Sequence, residues 1–267
     1  MDIFILTRGR FNKQTTIKNI HAFDWCKPYI IVPTCERHLW VKQVPLENLV
    51  SVPDEYKAGD IRQFILEYND NRHLVLDDDL SFYRREKDTV KLKQLTKGDF
   101  KDMIKTIDEY MDHGFHHGAI SAREGNNRVE MPYVTNTRAM RALFYDAKIV
   151  KNLGVRWDGI KCRMDFHFTL SMMLKGKRNI VNYEFAQNQN GSATVGGATW
   201  YRKAELMDDM AYRLQDMFPE FVTAVEKTTK TSFGGGTRID VRIAWKKAYE
   251  EGVRRSSIRR KKYILPK

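Results

Sequence analysis

The sequence predicts an α/β fold with a mostly parallel central sheet flanked by helices. Three observations predict it. Short runs rich in Val, Ile and Leu recur at residues 3–6, 29–33, 49–53 and 73–76, the length and composition of strands buried on both faces. Segments with apolar residues three and four apart alternate with them, at 17–23 and 61–68, which is β-α-β-β-α-β spacing. The fourth run, His73-Leu74-Val75-Leu76, empties into Asp77-Asp78-Asp79. Three adjacent carboxylates cannot stay buried as free charges. They mark the carboxyl end of a strand, where open α/β sheets bind their ligands.

The first strand ends in the basic, glycine-containing turn Thr7-Arg8-Gly9-Arg10. Thr15 or Thr16 is positioned to cap the short helix that follows. Gly59-Asp60 precedes the helical pattern that carries Arg62. A helix is expected over 99–111, then a loop with His113, His116 and His117, whose spacing matches no standard zinc site. A strand opening into a polar loop with Arg123 comes next, then a strand or short helix within 142–153. The stretch 162–176 ends in an amphipathic helix closed by Gly176, with Asp165 at its start. A strand at 179–184 leads into a Gln-, Asn- and Gly-rich run ending in Trp200-Tyr201-Arg202, read as a loop that closes over a ligand. The segment 204–221 reads as helical, 233–238 as a flexible turn, and 241–253 as a basic amphipathic helix.

Composition narrows the partners. The 267 residues carry a net charge of +12 and a pI near 9.5, which attracts polyanions such as nucleic acid. Much of the excess sits in the tail, where Arg254, Arg255, Arg259 and Arg260 read as contacts to a DNA or RNA backbone. No apolar run reaches the length of a membrane span, and no signal peptide is expected at the N-terminus. Three scattered cysteines fit a reducing cytoplasm.

Successive residues on an extended chain point to opposite faces, so Asp77 and Asp79 are expected to share one face and Asp78 to face away. Two carboxylates on one face are hard ligands for Mg²⁺ or Mn²⁺. An acidic turn or a helix cap is the plainer reading of the same residues. Asp165 likewise reads as a helix cap or as a general base facing a cleft.

Taken together these residues resemble the GT-A glycosyltransferases, through Thr7-Arg8-Gly9-Arg10, Arg62-Gln63, the Asp77-Asp78-Asp79 strand end and Met164-Asp165-Phe166, in that order. More narrowly, Gly59-Asp60-Ile61-Arg62-Gln63, Leu76-Asp77-Asp78-Asp79-Leu80 and Gly196-Gly197 resemble the phage TET-associated glycosyltransferases over residues 1–205. The resemblance implies a GT-A-like nucleotide-sugar-binding domain at 1–205, with a helical, basic extension at 206–267 packed on it. It implies sugar transfer from a nucleotide-sugar, a UDP-sugar first, to a hydroxymethylpyrimidine in double-stranded phage DNA, in the cytoplasm of an infected bacterium. Carried onto this chain, Thr7, Arg8, Arg10, Arg62, Asp77 and Asp78 bind the donor, Asp77 and Asp79 hold the metal, and Asp165 is the base of an inverting displacement. Arg123, Trp200, Arg202 and the four tail arginines meet the acceptor. Two departures stand out: many GT-A enzymes carry Glu-Asp where this chain has Met164-Asp165, and many use a late histidine as a metal ligand, whereas no histidine follows His167. A GT-A enzyme with a glycan, lipid or protein acceptor, and a nucleic-acid-binding protein without activity, are the competing readings.

Overall fold

Each apolar run becomes a strand because its side chains are covered on both faces. The computed structural model describes residues 1–189, 196–229 and 236–262, with side chains left aside for Thr229 and 258–262. In chain order the elements are β1 (Asp2–Leu6), α1 (Thr15–Asn19), β2 (Tyr29–Pro33), α2 (Arg37–Trp40), β3 (Leu49–Val52), α3 (Ala58–Tyr68), β4 (Arg72–Asp77), β5 (Leu80–Arg85), β6 (Leu92–Gln94) and α4 (Lys97–Asp112). There follow β7 (His117–Ala122), β8 (Tyr133–Thr135), β9 (Leu143–Asp146), α5 (Ala147–Asn152), α6 (Met164–Leu174), β10 (Ile180–Gln189), α7 (Ala204–Met217), β11 (Val222–Thr229), β12 (Gly236–Ile243) and α8 (Trp245–Lys262).

Ten strands form one sheet in the order β3-β2-β1-β4-β9-β7-β10-β5-β6, with β8 also on β10. The pairs β3–β2, β2–β1, β1–β4 and β7–β10 are parallel, and β9, β5 and β8 run against their neighbours. Seven of the ten strands therefore point the same way, as expected for the mostly parallel sheet. The chain builds β1, β2 and β3 outward, then returns to place β4 on the other side of β1. That reversal opens a crevice at the carboxyl ends of β1 and β4. Leu6 pairs with Asp77 there, so the Thr7–Arg10 turn and the acidic turn leave the sheet side by side.

Two apolar layers cover the sheet. One includes Ile5, Leu76, Phe82, Phe100 and Met103, and the other Phe4, Val75, Tyr145, Trp157 and Phe168. A third cluster joins α6 to the C-terminal elements through Phe166, Leu170, Met173, Leu214, Val222 and Ala248.

The C-terminal region differs from the expectation. Residues 222–229 and 236–243 form a two-stranded antiparallel ribbon, β11 on β12, and the last helix starts at Trp245 rather than at 241. The alternation Arg238-Ile239-Asp240-Val241-Arg242-Ile243 is a strand pattern. Extending a helix back over it misread a period of two. The short strands β5, β6 and β8 were also not anticipated; polar and basic residues interrupt their apolar pattern. Of the three histidines, His113 and His116 lie in the connection between α4 and β7, with His113 exposed, whereas His117 opens β7 and is buried.

Candidate active site

The acidic triplet is a turn, not an extension of the strand. β4 ends at Asp77, and Asp78-Asp79 turn the chain into β5. Thr16, at the start of α1, pins this turn. Its backbone N–H donates to Asp78 O at 3.0 Å, its hydroxyl donates to Asp77 O at 2.6 Å, and the same hydroxyl accepts from Leu80 N at 2.9 Å. The period-of-two argument that placed Asp77 and Asp79 on one face therefore fails at the strand end. Asp77 and Asp78 line the cavity; Asp79 does not.

Every carboxylate of the triplet meets an arginine. Arg62 Nη2 lies 2.7 Å from Asp77 Oδ1. Arg10 Nη1 bridges Asp78 Oδ1 and Asp79 Oδ2, each at 2.7 Å. Gln189 Nε2 also donates to Asp79, at 2.9 and 3.2 Å. Burial pushes the Asp78 carboxyl up to about 6, opposed by Arg10 and by the Thr7 hydroxyl. Burial and the neighbouring Asp77 also raise Asp79.

The motif Gly59-Asp60-Ile61-Arg62-Gln63 can be read residue by residue. A Cβ on Gly59 would sit 3.1 Å from Trp157 O, so glycine lets α3 approach that loop. Asp60 Oδ2 accepts from Lys57 N at 2.9 Å and closes the first turn of α3. Arg62 reaches Asp77, and Gln63 Oε1 accepts from Trp157 N at 2.9 Å. Arg62 is 6% exposed, and its Nη1 has no hydrogen-bond partner among the described residues, although Arg62 lines the cavity. An unpaired buried donor costs about 1–3 kcal/mol.

The cavity holds about 440 Å³, within the range of small-ligand sites. Among the described residues nine Lys or Arg and five Asp line it, an excess that selects anionic ligands. At one end stand Thr7, Arg8, Arg10, Arg62 and the acidic turn. The segment 196–202 covers that end. Gly197 N donates to Arg8 O at 2.8 Å, the Arg8 guanidinium sits 4.4 Å over the Trp200 ring, and the Tyr201 hydroxyl accepts from Ala58 N at 3.3 Å. Gly196 has φ +102°, and a Cβ there would fall 2.7 Å from Arg10 Cγ and 3.1 Å from Arg8 O. The Gly-Gly pair is thus what lets this segment lie on the turn. The expected loop over 187–202 lies partly outside the described residues; its last part is this cavity wall.

The same cavity reaches the start of α6 and Asp165. The residue capping α6 is Arg163, not Asp165, and it holds a left-handed φ of 61°. Asp165 follows within the first turn, lines the cavity and makes no hydrogen bond or ion pair among the described residues. Its charge favours that of Arg138, whose guanidinium is lowered by burial and sits 4.6 Å over the Phe166 ring. Arg163 reaches outward to the ribbon: Nη2 donates to Ile239 O at 2.7 Å and Nη1 to Asp240 Oδ1 at 3.1 Å. Lys227, Arg238 and Asp240 of the ribbon line the cavity as well. Sequence reasoning missed these residues and Arg138. The alternation at 238–243 was a usable signal for the ribbon, whereas Arg138 sits in an irregular segment without one.

Of the expected acceptor contacts, Trp200 and Arg202 line the cavity and Arg123 does not. Arg123 lies 4.5 Å over the Tyr83 ring and donates to its hydroxyl at 3.2 Å. Arg254 and Arg255 both pair with Glu251 and are likewise absent from the cavity wall. Helix α8 starts against Phe166 through Trp245 and reaches Gly176 through Ser256, so it runs alongside α6 away from Asp165. Its basic end is therefore carried about 16 Å from the start of α6. The side chains of Arg259 and Arg260 lie outside the described residues. No helix among the described residues is long and apolar enough to cross a membrane.

Asp77 and Asp78 are hard oxygen donors on the cavity wall and fit a Mg²⁺ or Mn²⁺ that takes its remaining ligands from phosphate and water. Asp79, a neighbour of Asp77, is held by Arg10 and Gln189 and is absent from the cavity lining. No cluster of three His, Cys, Asp or Glu able to hold a metal by protein ligands alone occurs among the described residues.

No curated protein matches the chain. A family model described as TET-associated glycosyltransferase matches residues 1–197, which takes in the Thr7–Arg10 turn, the acidic turn, Asp165 and Gly196-Gly197. With the α/β fold and a cavity at the strand ends, that match establishes the chain as a glycosyltransferase, an enzyme that acts on a nucleotide-sugar donor and an acceptor: it belongs to the TET-associated glycosyltransferase family.

Proposed function

We propose that this enzyme moves a sugar from a nucleotide-sugar, a UDP-sugar first, to the hydroxymethyl group of a pyrimidine in double-stranded DNA, with inversion at the anomeric carbon. The observation that carries the donor half is Arg62, a buried guanidinium that is fixed on Asp77 and lines a basic cavity at the ends of β1 and β4. In this reading Arg62 and Arg8 donate to the diphosphate, and Thr7 and Arg10 complete that end. Arg62 also fixes Asp77. A Mg²⁺ or Mn²⁺ on Asp77 and Asp78 adds charge neutralisation at the leaving diphosphate. Tyr201 and Trp200 keep water from the donor.

Asp165 acts from the start of α6. It accepts the proton of the acceptor hydroxyl as that oxygen forms its bond to the anomeric carbon. The bond from that carbon to the diphosphate breaks with the electron pair leaving on phosphate oxygen. A DNA acceptor is supported by the basic excess of the cavity and by the family's association with TET. The test is nucleotide diphosphate release from a panel of nucleotide-sugars, with duplex DNA carrying 5-hydroxymethylcytosine or with unmodified duplex. Release that depends on the hydroxymethyl duplex supports the reading. Release stimulated only by a glycan, lipid or protein acceptor replaces it.

A further inference from the structure

We infer that the β11–β12 ribbon is the acceptor-holding element, gripping the phosphate backbone of duplex DNA at the cavity mouth with Lys227, Arg238 and Arg242; this rests on the DNA-acceptor reading above. Antiparallel register places Lys227 opposite Arg238 and Thr223 opposite Arg242. Directly paired residues share a face, and alternation puts Arg238, Asp240 and Arg242 on that same face. Three cations and one carboxylate thus occupy one side of the ribbon. The other side carries Val222, Val241 and Ile243 into the apolar cluster with α6 and α7. Three members of the charged face, Lys227, Arg238 and Asp240, line the cavity, next to the β12 edge residues Thr237 and Ile239.

The ribbon is fixed in that pose by two tethers. Arg163 binds Asp240 and Ile239 O, and Asp208 Oδ1 accepts from Ile239 N at 2.8 Å. Asp240 is within 3.7 Å of Lys227 and 3.6 Å of Arg238, so a single carboxylate orients the two cations without cancelling both. Toward the far end the ribbon is uncovered: Glu226, Lys227, Thr228, Gly236 and Thr237 are exposed. At eight residues per strand it is about 27 Å long. A two-stranded ribbon of this kind fits the major groove of a duplex, which is also where a substituent on pyrimidine C5 projects. Arg254 and Arg255, paired with Glu251 on a helix that runs away from Asp165, are less well placed for this role.

The test is the salt dependence of binding to a duplex containing 5-hydroxymethylcytosine, with transfer measured in parallel. Lys227→Ala with Arg242→Ala changes two exposed side chains and leaves the melting temperature in place. It should weaken binding about tenfold and make the slope of log K against log salt shallower by about 2. Arg238→Gln, a second variant, should raise the KM for DNA. Unchanged affinity and slope in both variants, in a protein that binds and glycosylates the duplex, overturn the ribbon assignment. So does a loss confined to Arg254→Ala with Arg255→Ala. A wild-type protein that neither binds nor modifies the duplex overturns the DNA-acceptor reading itself.

Discussion

Arg163 and Asp240 are 77 positions apart and form an ion pair at 3.1 Å that joins the first turn of α6 to the ribbon. Arg163 holds a left-handed backbone conformation, which a residue with a Cβ keeps only when its surroundings enforce it. Its guanidinium is 8% exposed and bonded to Ile239 O as well. The start of the helix that carries Asp165 and the position of the ribbon are thus one structural unit. Arg163→Ala should destabilise the protein by about 1–3 kcal/mol and lower transfer to DNA. Urea denaturation with a transfer assay checks this; full stability would show that the ribbon is held by its apolar face alone.

Asp165 is expected to act as the base. It makes no hydrogen bond among the described residues and does not cap α6, so Asp165→Asn has little structural contact to lose. Turnover should fall by about two to four orders of magnitude with donor affinity little changed, and the wild-type product should have inverted anomeric configuration. Near-normal turnover of the variant, or a retained configuration determined by NMR of the product, removes Asp165 from that role.

Gly196→Ala should open the donor end of the cavity. With φ at +102° and Arg8 O 3.1 Å from the new Cβ, the covering segment must lift from the Thr7–Arg10 turn. The expected outcome is a rise in donor KM of about tenfold, with an unchanged circular dichroism spectrum. An unaltered KM would mean that residues 196–202 do not contribute to donor binding.

The buried histidines set a pH dependence. Burial holds His117 at about 3 and His73 at about 4, below the ordinary value of 6.5. The folded state keeps both neutral, and the unfolded chain takes up their protons as pH falls below about 6.5. Their contribution is full above that pH and is lost as pH falls toward the folded values, at about 1.4 kcal/mol per unit for each histidine. Asp78, raised to about 6, gains a proton in the folded state and acts in the opposite sense over part of that window. Comparison with His117→Phe isolates one histidine. Denaturation at pH 7.5 and pH 5 should show the variant gaining on wild type as pH falls; a constant difference would contradict the assignment.

Much of this site could be read from the sequence where a local pattern carried it. The run His73–Leu76 announced β4 because a buried parallel strand is apolar on both faces, and the acidic residues after it announced a strand end. The same reasoning failed two residues later, because alternation stops where the strand stops, and Asp79 turned out to face Arg10 and Gln189. Arg62 was legible from its place in the helical pattern after Gly59-Asp60, but its pairing with Asp77 is a tertiary fact. The ribbon was missed although Arg238–Ile243 alternates, since the basic residues beyond it drew the helix reading backward. Arg138 and Arg163 reach the cavity through an irregular segment and a left-handed cap, which composition and periodicity do not encode.

The central claim is that the basic cavity at the ends of β1 and β4 delivers a sugar to hydroxymethylpyrimidine in DNA. Mass spectrometry of nucleosides tests it most directly, after incubating duplex DNA containing 5-hydroxymethylcytosine or 5-hydroxymethyluracil with the enzyme, Mn²⁺ and a panel of nucleotide-sugars. A hydroxymethylpyrimidine heavier by one glycosyl residue, formed by wild type and lost in Asp165→Asn, is the predicted result. Unmodified nucleosides across the panel, with sugar found instead on a glycan, lipid or protein acceptor, would contradict it.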